Sequence, residues 1–288
     1  MSKPYIGRFA PSPSGLLHFG SLIAALGSYL RARSQNGKWL IRVEDIDPPR
    51  EVVGASDDIL RALEAYGLTW DDEVLYQSTR TEAYLAQIEQ LLLKEKAYYC
   101  RCTRKMVREM GGSYDRRCFH LSEKLNEGAI RVLNDSPVYQ FEDKLKGLVN
   151  VPLIFAEEDF IIKRSDGLFA YQLAVVLDDH YQGITEVVRG NDLLDATCRQ
   201  ISLFKILGKD EPDWLHLPLA SEKVGFKLSK QNHALPIDIN NPQKTFQAAL
   251  LFLGQPEVEL NSDISQMVAQ AVLQFELESV PSAHEVLI

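Results

Sequence analysis

A chain of 288 residues with 45% hydrophobic and 25% charged side chains can bury a full core and hold one large domain or two small ones. No apolar run reaches the ~20 residues of a membrane span, and the N-terminus has no basic-then-apolar leader pattern, so no membrane partner and a cytoplasmic location are expected. A net charge of −9 excludes a surface that binds nucleic acid all over, and four cysteines in such a chain suit a metal or buried thiols better than disulfides.

Tyr5 to Phe9 has strand character, and Pro11, Pro13 and Gly15 then stop the strand and hold a tight loop. From Ser21 onward Leu22, Ile23, Leu26 and Leu30 recur at helical spacing. The loop therefore joins a strand end to a helix start, where free N–H groups and the helix dipole attract anions. His18 can donate to a phosphate oxygen there, and Gly20 lets a flat base lie against the backbone. This is a nucleotide cradle of neither the Walker nor the Gly-x-Gly-x-x-Gly kind. Lys38 to Val43 reads as a second, buried parallel strand, which completes a right-handed βαβ unit. Glu44 follows at the carboxyl edge of the sheet, where ligands bind, and its carboxylate can hold an ammonium group.

Ser56 to Tyr66 predicts a helix with Ser56 as N-cap and Gly67 as stop. Thr79-Arg80-Thr81-Glu82 predicts a capping box opening a helix with Tyr84, Leu85, Ile88, Leu91 and Leu92 on one face. Both helices read as structural. From Cys100 to His120 the chain is basic: Arg101, Arg104, Lys105, Arg108, Arg116 and Arg117 stand against Glu109 and Asp115. Cys100, Cys102 and Cys118 in that stretch suit a structural zinc, with His120 or Tyr114 as the fourth ligand and His the commoner zinc ligand. Ala129 to Glu158 is mixed in pattern and reads as the rest of an insertion.

Asp159 to Arg164 predicts a strand, Tyr171 opens a helix through Asp178, and Ile184 to Val188 is another strand ending at Arg189. Arg8 and Arg189 thus both lie at carboxyl ends of strands. Two guanidinium groups with a carboxylate opposite make a chemical counterpart of glutamate. Asp178-Asp179-His180 reads as structural or pocket-shaping, and Cys198 as a core residue. Gly225 to Gln231 is a basic loop whose Lys227 and Lys230 flank Ser229 and can reach a polyphosphate. Two amphipathic helices, Pro242 to Leu253 and Asp263 to Phe275, close the chain.

His18-Phe19-Gly20-Ser21 and Lys227-Leu228-Ser229-Lys230-Gln231 together resemble the paired signatures of class I aminoacyl-tRNA synthetases, written HIGH and KMSKS. Pro11 to Gly15, Arg42 to Asp47 and Val187 to Gly190 narrow the resemblance to the glutamyl branch, over about residues 4 to 233. It implies an α/β fold with a Rossmann-like doubly wound parallel sheet in two halves, 1–98 and 159–233. An inserted zinc-bearing α+β subdomain would occupy 99–158 and a short helical C-terminal region 234–288.

The resemblance further implies ATP as substrate with Mg2+, and His18, Gly20, Ser21, Lys227 and Lys230 as catalytic residues, of which His18, Gly20 and Lys230 bind ATP. L-glutamate would be held by Arg8, Phe9, Ala10, Pro11, Ser12, Glu44, Tyr171 and Arg189. The shorter glutamyl-type paralogues carry a Cys-x-Cys…Tyr-x-x-x-Cys zinc (Zn2+) site, which matches Cys100, Cys102, Tyr114 and Cys118 and favours Tyr114 over His120. Ser21, Leu228 and Gln231 depart from the family pattern, without loss of activation being expected. About one-fifth of the chain follows Lys230, so the anticodon-reading region of a full synthetase is not expected.

The match is best with the truncated bacterial glutamyl-queuosine tRNA(Asp) synthetases. The implied activity is tRNA-independent activation of L-glutamate, then transfer to queuosine in the anticodon region of tRNA(Asp), by a monomer. The alternatives are a short synthetase charging tRNA(Glu) and an RNA-binding paralogue with an inactive site.

Overall fold

The computed structural model describes residues 3–121, 124–228 and 234–288. β1 (Ile6–Phe9), α1 (Phe19–Ser34) and β2 (Lys38–Val43) form the expected βαβ unit, with β1 and β2 parallel. α1 begins two residues before the apolar periodicity does, because His18 caps it. The next helix, α2 (Ala55–Ala65), is not capped by Ser56 as the sequence suggests. Gly54 takes that position at φ 80°, a left-handed turn that a side chain would strain, and Ser56 lies inside the first turn.

β3 (Leu75–Tyr76) adds in parallel to β2. The predicted capping box at Thr79 does not form. A 3₁₀ turn, Gln77–Arg80, runs straight into α3 (Thr81–Leu93), and the Thr79 hydroxyl donates back to Tyr76 O at 2.6 Å. Tyr84, Ile88 and Leu91 of α3 are buried as expected, whereas Leu85 faces water.

β4 (Ala97–Cys100), α4 (Arg104–Glu109), β5 (Ala129–Val132), β6 (Gln140–Asp143), β7 (Gly147–Asn150), α5 (Leu153–Ala156) and β8 (Ile161–Lys163) follow. β4, β5 and β8 make an antiparallel sheet, and β6 and β7 a hairpin. α6 (Tyr171–Tyr181), β9 (Glu186–Gly190), α7 (Thr197–Ile206) and β10 (Asp213–Leu217) return the chain to the parallel layer, where β9 pairs with β10. β9 and β10 stand beside β1. There Thr185 N–H donates to Ile6 O, and Ile6 N–H to Thr185 Oγ1, each at 2.9 Å. The parallel strands therefore run β3-β2-β1-β9-β10, with the connection switching sides between β1 and β9, the place where open α/β sheets bind ligands.

Helices cover both faces of this layer. On one side α1, with Leu22, Ala25, Leu26 and Leu30 fully buried, packs among Trp39, Phe246, Leu250 and Met267. On the other, Leu173 to Val176 of α6 pack with Phe204 and Trp214. β11 (Leu219–Lys223) pairs antiparallel with β12 (Phe226–Lys227) and parallel with β13 (Glu285–Leu287). α8 (Pro242–Phe252) and α9 (Ile264–Gln274) bury their predicted apolar faces against α1. No described helix is long and apolar enough to cross a membrane.

Gly27 measures how tightly α1 is seated. A Cβ there would come within 2.5 Å of Leu217 Cδ1, at the end of β10. Alanine at a helix interior normally gains roughly 0.5–1 kcal/mol over glycine, but forcing a methyl group into a filled core costs about 1–3 kcal/mol. The clash wins. Gly27→Ala should lower the thermal midpoint, and an unchanged or raised midpoint in a melting curve would show that Leu217 can move aside.

Candidate functional site

The start of α1 is built by reciprocal capping. Ser21 N–H donates to His18 Nδ1 at 3.3 Å, and His18 N–H donates to Ser21 Oγ at 2.8 Å. The Ser21 hydroxyl proton goes to His18 O at 2.7 Å. An accepting Nδ1 puts the ring proton on Nε2. Ser21 stands where the family motif has a second histidine, and it orients the first one instead. A Cβ on Gly20 would approach the His18 ring to 3.1 Å and Leu228 Cβ to 3.6 Å, so glycine leaves room for both.

Leu228 brings the second motif to the first. Its N–H donates to Ala220 O at 2.8 Å, tying the end of β12 to β11, and its side chain lines one cavity with His18, Gly20, Ser21, Gly190 and Asp192. That cavity holds about 230 Å³. Further along, Pro236 forms a β-bridge with His18, and Ile237 N–H donates to Leu17 O at 3.0 Å. Ser229, Lys230 and Gln231 lie outside the described residues, as does the side chain of Lys227.

Beside this cavity lies a charged pocket at the carboxyl ends of β1, β2 and β9. Pro11 O accepts the Glu44 N–H at 2.9 Å, which holds the proline loop over the end of β2. Asp179, on α6, is the centre of the pocket: its Oδ1 accepts Arg8 Nε at 3.0 Å and Arg42 Nη1 at 2.8 Å. Glu44 Oε1 lies 3.8 Å from Arg42 Nη2 on a side chain only 9% exposed. Among the described residues, Arg42 Nε and Nη2, Glu44 Oε1 and Asp179 Oδ2 have no hydrogen-bond partner. Buried charged atoms without partners are costly, so this group is poised for a ligand bearing charges of both signs. Burial pushes the Glu44 carboxyl up to about 7, against the downward pull of Arg42 and Arg8.

Arg189 closes the far side, only 5% exposed. Its Nη1 donates to Gln200 Oε1 at 2.8 Å and to Tyr171 OH at 3.4 Å, and its Nη2 donates to Thr197 Oγ1 at 2.8 Å. The Tyr171 contact and the one from Nη2 to Leu193 O, at 3.5 Å, are the long ones. Arg8, Glu44 and Arg189 all act electrostatically on the Tyr171 hydroxyl, whose pKa is raised chiefly by burial. The Phe9 ring is turned into the core, stacked 6.3 Å from Trp39, which leaves its backbone for any ligand. Ser12 and Glu44 line an adjoining opening of about 290 Å³ with Ser14, Asp47 and Arg50.

Sequence reasoning brought Arg8, Glu44 and Arg189 to one pocket, with Tyr171 added by the family resemblance; it assigned no role to Arg42 and read Asp179 as structural or pocket-shaping. The signal was available. Two adjacent carboxylates in an apolar helix must find cations when buried, and Asp178 likewise accepts Arg80, Gln77 and Tyr84.

The three cysteines of the insertion converge. The sulfurs of Cys100, Cys102 and Cys118 all lie within 4.8 Å of one another, with Cys102 and Cys118 at 3.5 Å. Tetrahedral thiolates around zinc stand about 3.8 Å apart, from Zn–S bonds near 2.3 Å, so the spacing fits. Arg131 Nε donates to Cys100 Sγ at 3.3 Å. The Tyr114 hydroxyl accepts the Cys118 N–H at 3.0 Å and hydrogen-bonds the Cys118 and Cys100 sulfurs. His120 is not in this group; its exposed ring packs on Phe119 with centroids 5.3 Å apart. Around the cluster the basic stretch is thinner than its sequence suggests. Arg101, Lys105, Arg116 and Arg117 pair with Glu127, Glu109, Asp159 and Asp115, which leaves Arg104 and Arg108 without ion pairs among the described residues.

Comparison with known proteins agrees with this geometry. The family model for the catalytic domain of class I tRNA synthetases (E and Q) matches residues 6–245. The glutamyl-Q tRNA(Asp) synthetase of Shewanella oneidensis is 64% identical over 99% of this chain and 95% of its own length. That of Shewanella amazonensis is 61% identical over 99% of this chain and 98% of its own. Among solved structures, the glutamate-tRNA synthetase of Elizabethkingia anophelis superposes with a TM-score of 0.82 at 23% identity, over 99% of this chain and 68% of that one, a likeness of fold. By the matched domain and by relatives more than half identical along nearly the whole length, the chain belongs to the class I tRNA synthetases of the E and Q group, and within them to the glutamyl-Q tRNA(Asp) synthetases.

Proposed function

We propose that this protein activates L-glutamate with ATP, without tRNA, and then transfers the glutamyl group to queuosine at the wobble position of tRNA(Asp). The observation that carries the reading is the adjacency of the His18 cavity and the Arg8–Glu44–Arg189 pocket at one switch point of the sheet, on a chain so similar to proteins of that name.

In the first step a glutamate carboxylate oxygen attacks the α-phosphorus of ATP, the bond to the β-phosphate oxygen breaks, and pyrophosphate leaves. No protein nucleophile is needed, so positioning and charge stabilisation supply the catalysis. His18 Nε2–H and the N–H groups at the start of α1 stabilise the charge on phosphorus oxygens. Lys227 and Lys230 neutralise the departing pyrophosphate, and Mg2+, when bound, would supply further positive charge there. Glu44 holds the substrate ammonium, while Arg8, Tyr171 and Arg189 take the carboxylates, with Ser12 in the wall of the opening and Ala10 and Pro11 in the loop that leads to it. In the second step a queuosine hydroxyl attacks the mixed anhydride, its proton is lost, and AMP leaves. Residues 99–158 act as a separate module that meets the RNA, with zinc held by Cys100, Cys102, Tyr114 and Cys118 tying Arg104–Glu109 to the sheet.

Only the ionised form of Glu44 attracts an ammonium group. Its pKa, raised to about 7, makes the carboxylate abundant above neutrality and scarce below it. The KM for glutamate in ATP–pyrophosphate exchange should therefore be flat above about pH 7 and rise up to ~10-fold per unit below it. Glu44→Gln should raise KM and abolish that slope. A slope kept by the variant would assign it to another group.

Metal analysis decides the zinc ligands. Tyr114→Phe should lose bound zinc, and His120→Ala should keep it; the opposite pair of results would make His120 the ligand.

Radiolabelled glutamate separates the acceptors. Label should appear on queuosine-containing tRNA(Asp) and resist periodate oxidation of the 3′ end. Periodate-sensitive label on tRNA(Glu) would instead make the protein a short aminoacylating synthetase, and absence of pyrophosphate exchange would make it an inactive paralogue.

A further inference from the structure

His216 is the fourth residue of β10, between Leu215 and Leu217, and its side chain is fully buried. Its two ring nitrogens serve different elements. Nε2 accepts Arg189 Nε–H at 3.1 Å, and Nδ1 lies 2.6 Å from Asp143 Oδ2, on the β6–β7 hairpin of the insertion. Arginine has only donors, so the imidazole lone pair must face it and the ring proton must sit on Nδ1, toward Asp143. Burial holds the imidazole down at about 4, against the upward effect of Asp143, which keeps the ring neutral and able to accept.

Asp143 is itself fixed. Its Oδ1 accepts the N–H groups of Leu145 and Lys146 at 3.0 and 2.9 Å in the hairpin turn. Lys144 N–H in the same turn donates to Trp214 O at 2.8 Å, so hairpin and β10 are joined on both sides of the ring. With Nε held by His216 and Nη2 by Thr197, only rotation of the whole group could redirect the Nη1 edge beside Tyr171.

We infer that His216 is a positioning residue for glutamate recognition: fixed in one tautomer by Asp143, it sets the plane of the Arg189 guanidinium against the substrate carboxylate. This rests on the reading of Arg189 as a glutamate ligand. It makes the insertion hairpin a structural support of the amino-acid pocket as well as a part of the RNA-facing module.

The test is ATP–pyrophosphate exchange by the full chain, with glutamate and ATP varied separately. His216→Asn keeps a donor toward Asp143 and removes the acceptor from Arg189; the KM for glutamate should rise on the order of 10- to 100-fold with the KM for ATP unchanged. His216→Gln, whose amide oxygen can occupy the Nε2 position, should recover most of that loss. Asp143→Asn donates to Nδ1, forces the ring proton onto Nε2 against the Arg189 N–H, and should match His216→Asn; it decides the matter if His216→Asn fails to fold. A wild-type glutamate KM in the folded Asn variants, or equal losses for glutamate and ATP, would overturn the role. Arg189→Gln separates the two readings. If it leaves the glutamate KM unchanged, the assignment of Arg189 fails; if it raises KM while the Asn variants do not, only the positioning role fails.

Discussion

The buried carboxylate of Asp179 is what allows this site to exist. Arg8 and Arg42 project from neighbouring parallel strands into a space closed to water, and two like charges there would repel strongly in a medium of low polarisability. A single oxygen accepting from both brings them together, and it comes from α6. Burial acts to raise the pKa of Asp179, yet Arg42 and Arg8 outweigh it, so the carboxylate stays ionised. Breaking such a pair leaves an uncompensated buried charge, typically worth about 3–5 kcal/mol. The strands, the helix and the ligand pocket are thereby one electrostatic unit.

The fold was legible wherever hydrophobic period and punctuation spoke clearly. Lys38–Val43 is the strand that its apolar run announces, and α8 and α9 begin and end within a residue or two of their patterns. Capping was less legible, for a physical reason. Ser56 and the Thr79–Glu82 box have suitable side chains, but a cap also needs the preceding backbone to turn the right way. At α2 Gly54 makes that turn first, and at α3 a 3₁₀ segment feeds the helix directly, so neither side chain finds an orphan N–H to accept. His18 was read for its chemistry and proved to be the cap as well.

The site divides in the same way. Arg8, Glu44 and Arg189 carry recognisable chemistry at strand ends and could be gathered from the sequence, with Tyr171 added by the family resemblance. Residues that hold those side chains sit far away in the chain and are tied to them by a few hydrogen bonds. Asp143 and His216 are 73 positions apart, Asp179 and Arg42 137. No local pattern encodes such a pairing. What the sequence does give is the anomaly, a lone His in Trp-Leu-His-Leu or two aspartates in an apolar helix, each a polar group that cannot be buried without a partner.

The Ser21 departure shows how a motif can change while its geometry survives. A histidine at that position would have to cap His18 through a ring; serine does it through one hydroxyl that accepts from the His18 N–H and donates to its carbonyl. The serine N–H then holds the ring nitrogen of His18, so the cap orients a side chain that lines the cavity at the start of α1. The cost of orienting the ring is met during folding, before any ligand arrives, which is what preorganisation requires. The same logic applies in the charged pocket, where Asp179, Gln200, Thr197 and His216 hold the guanidinium groups in place.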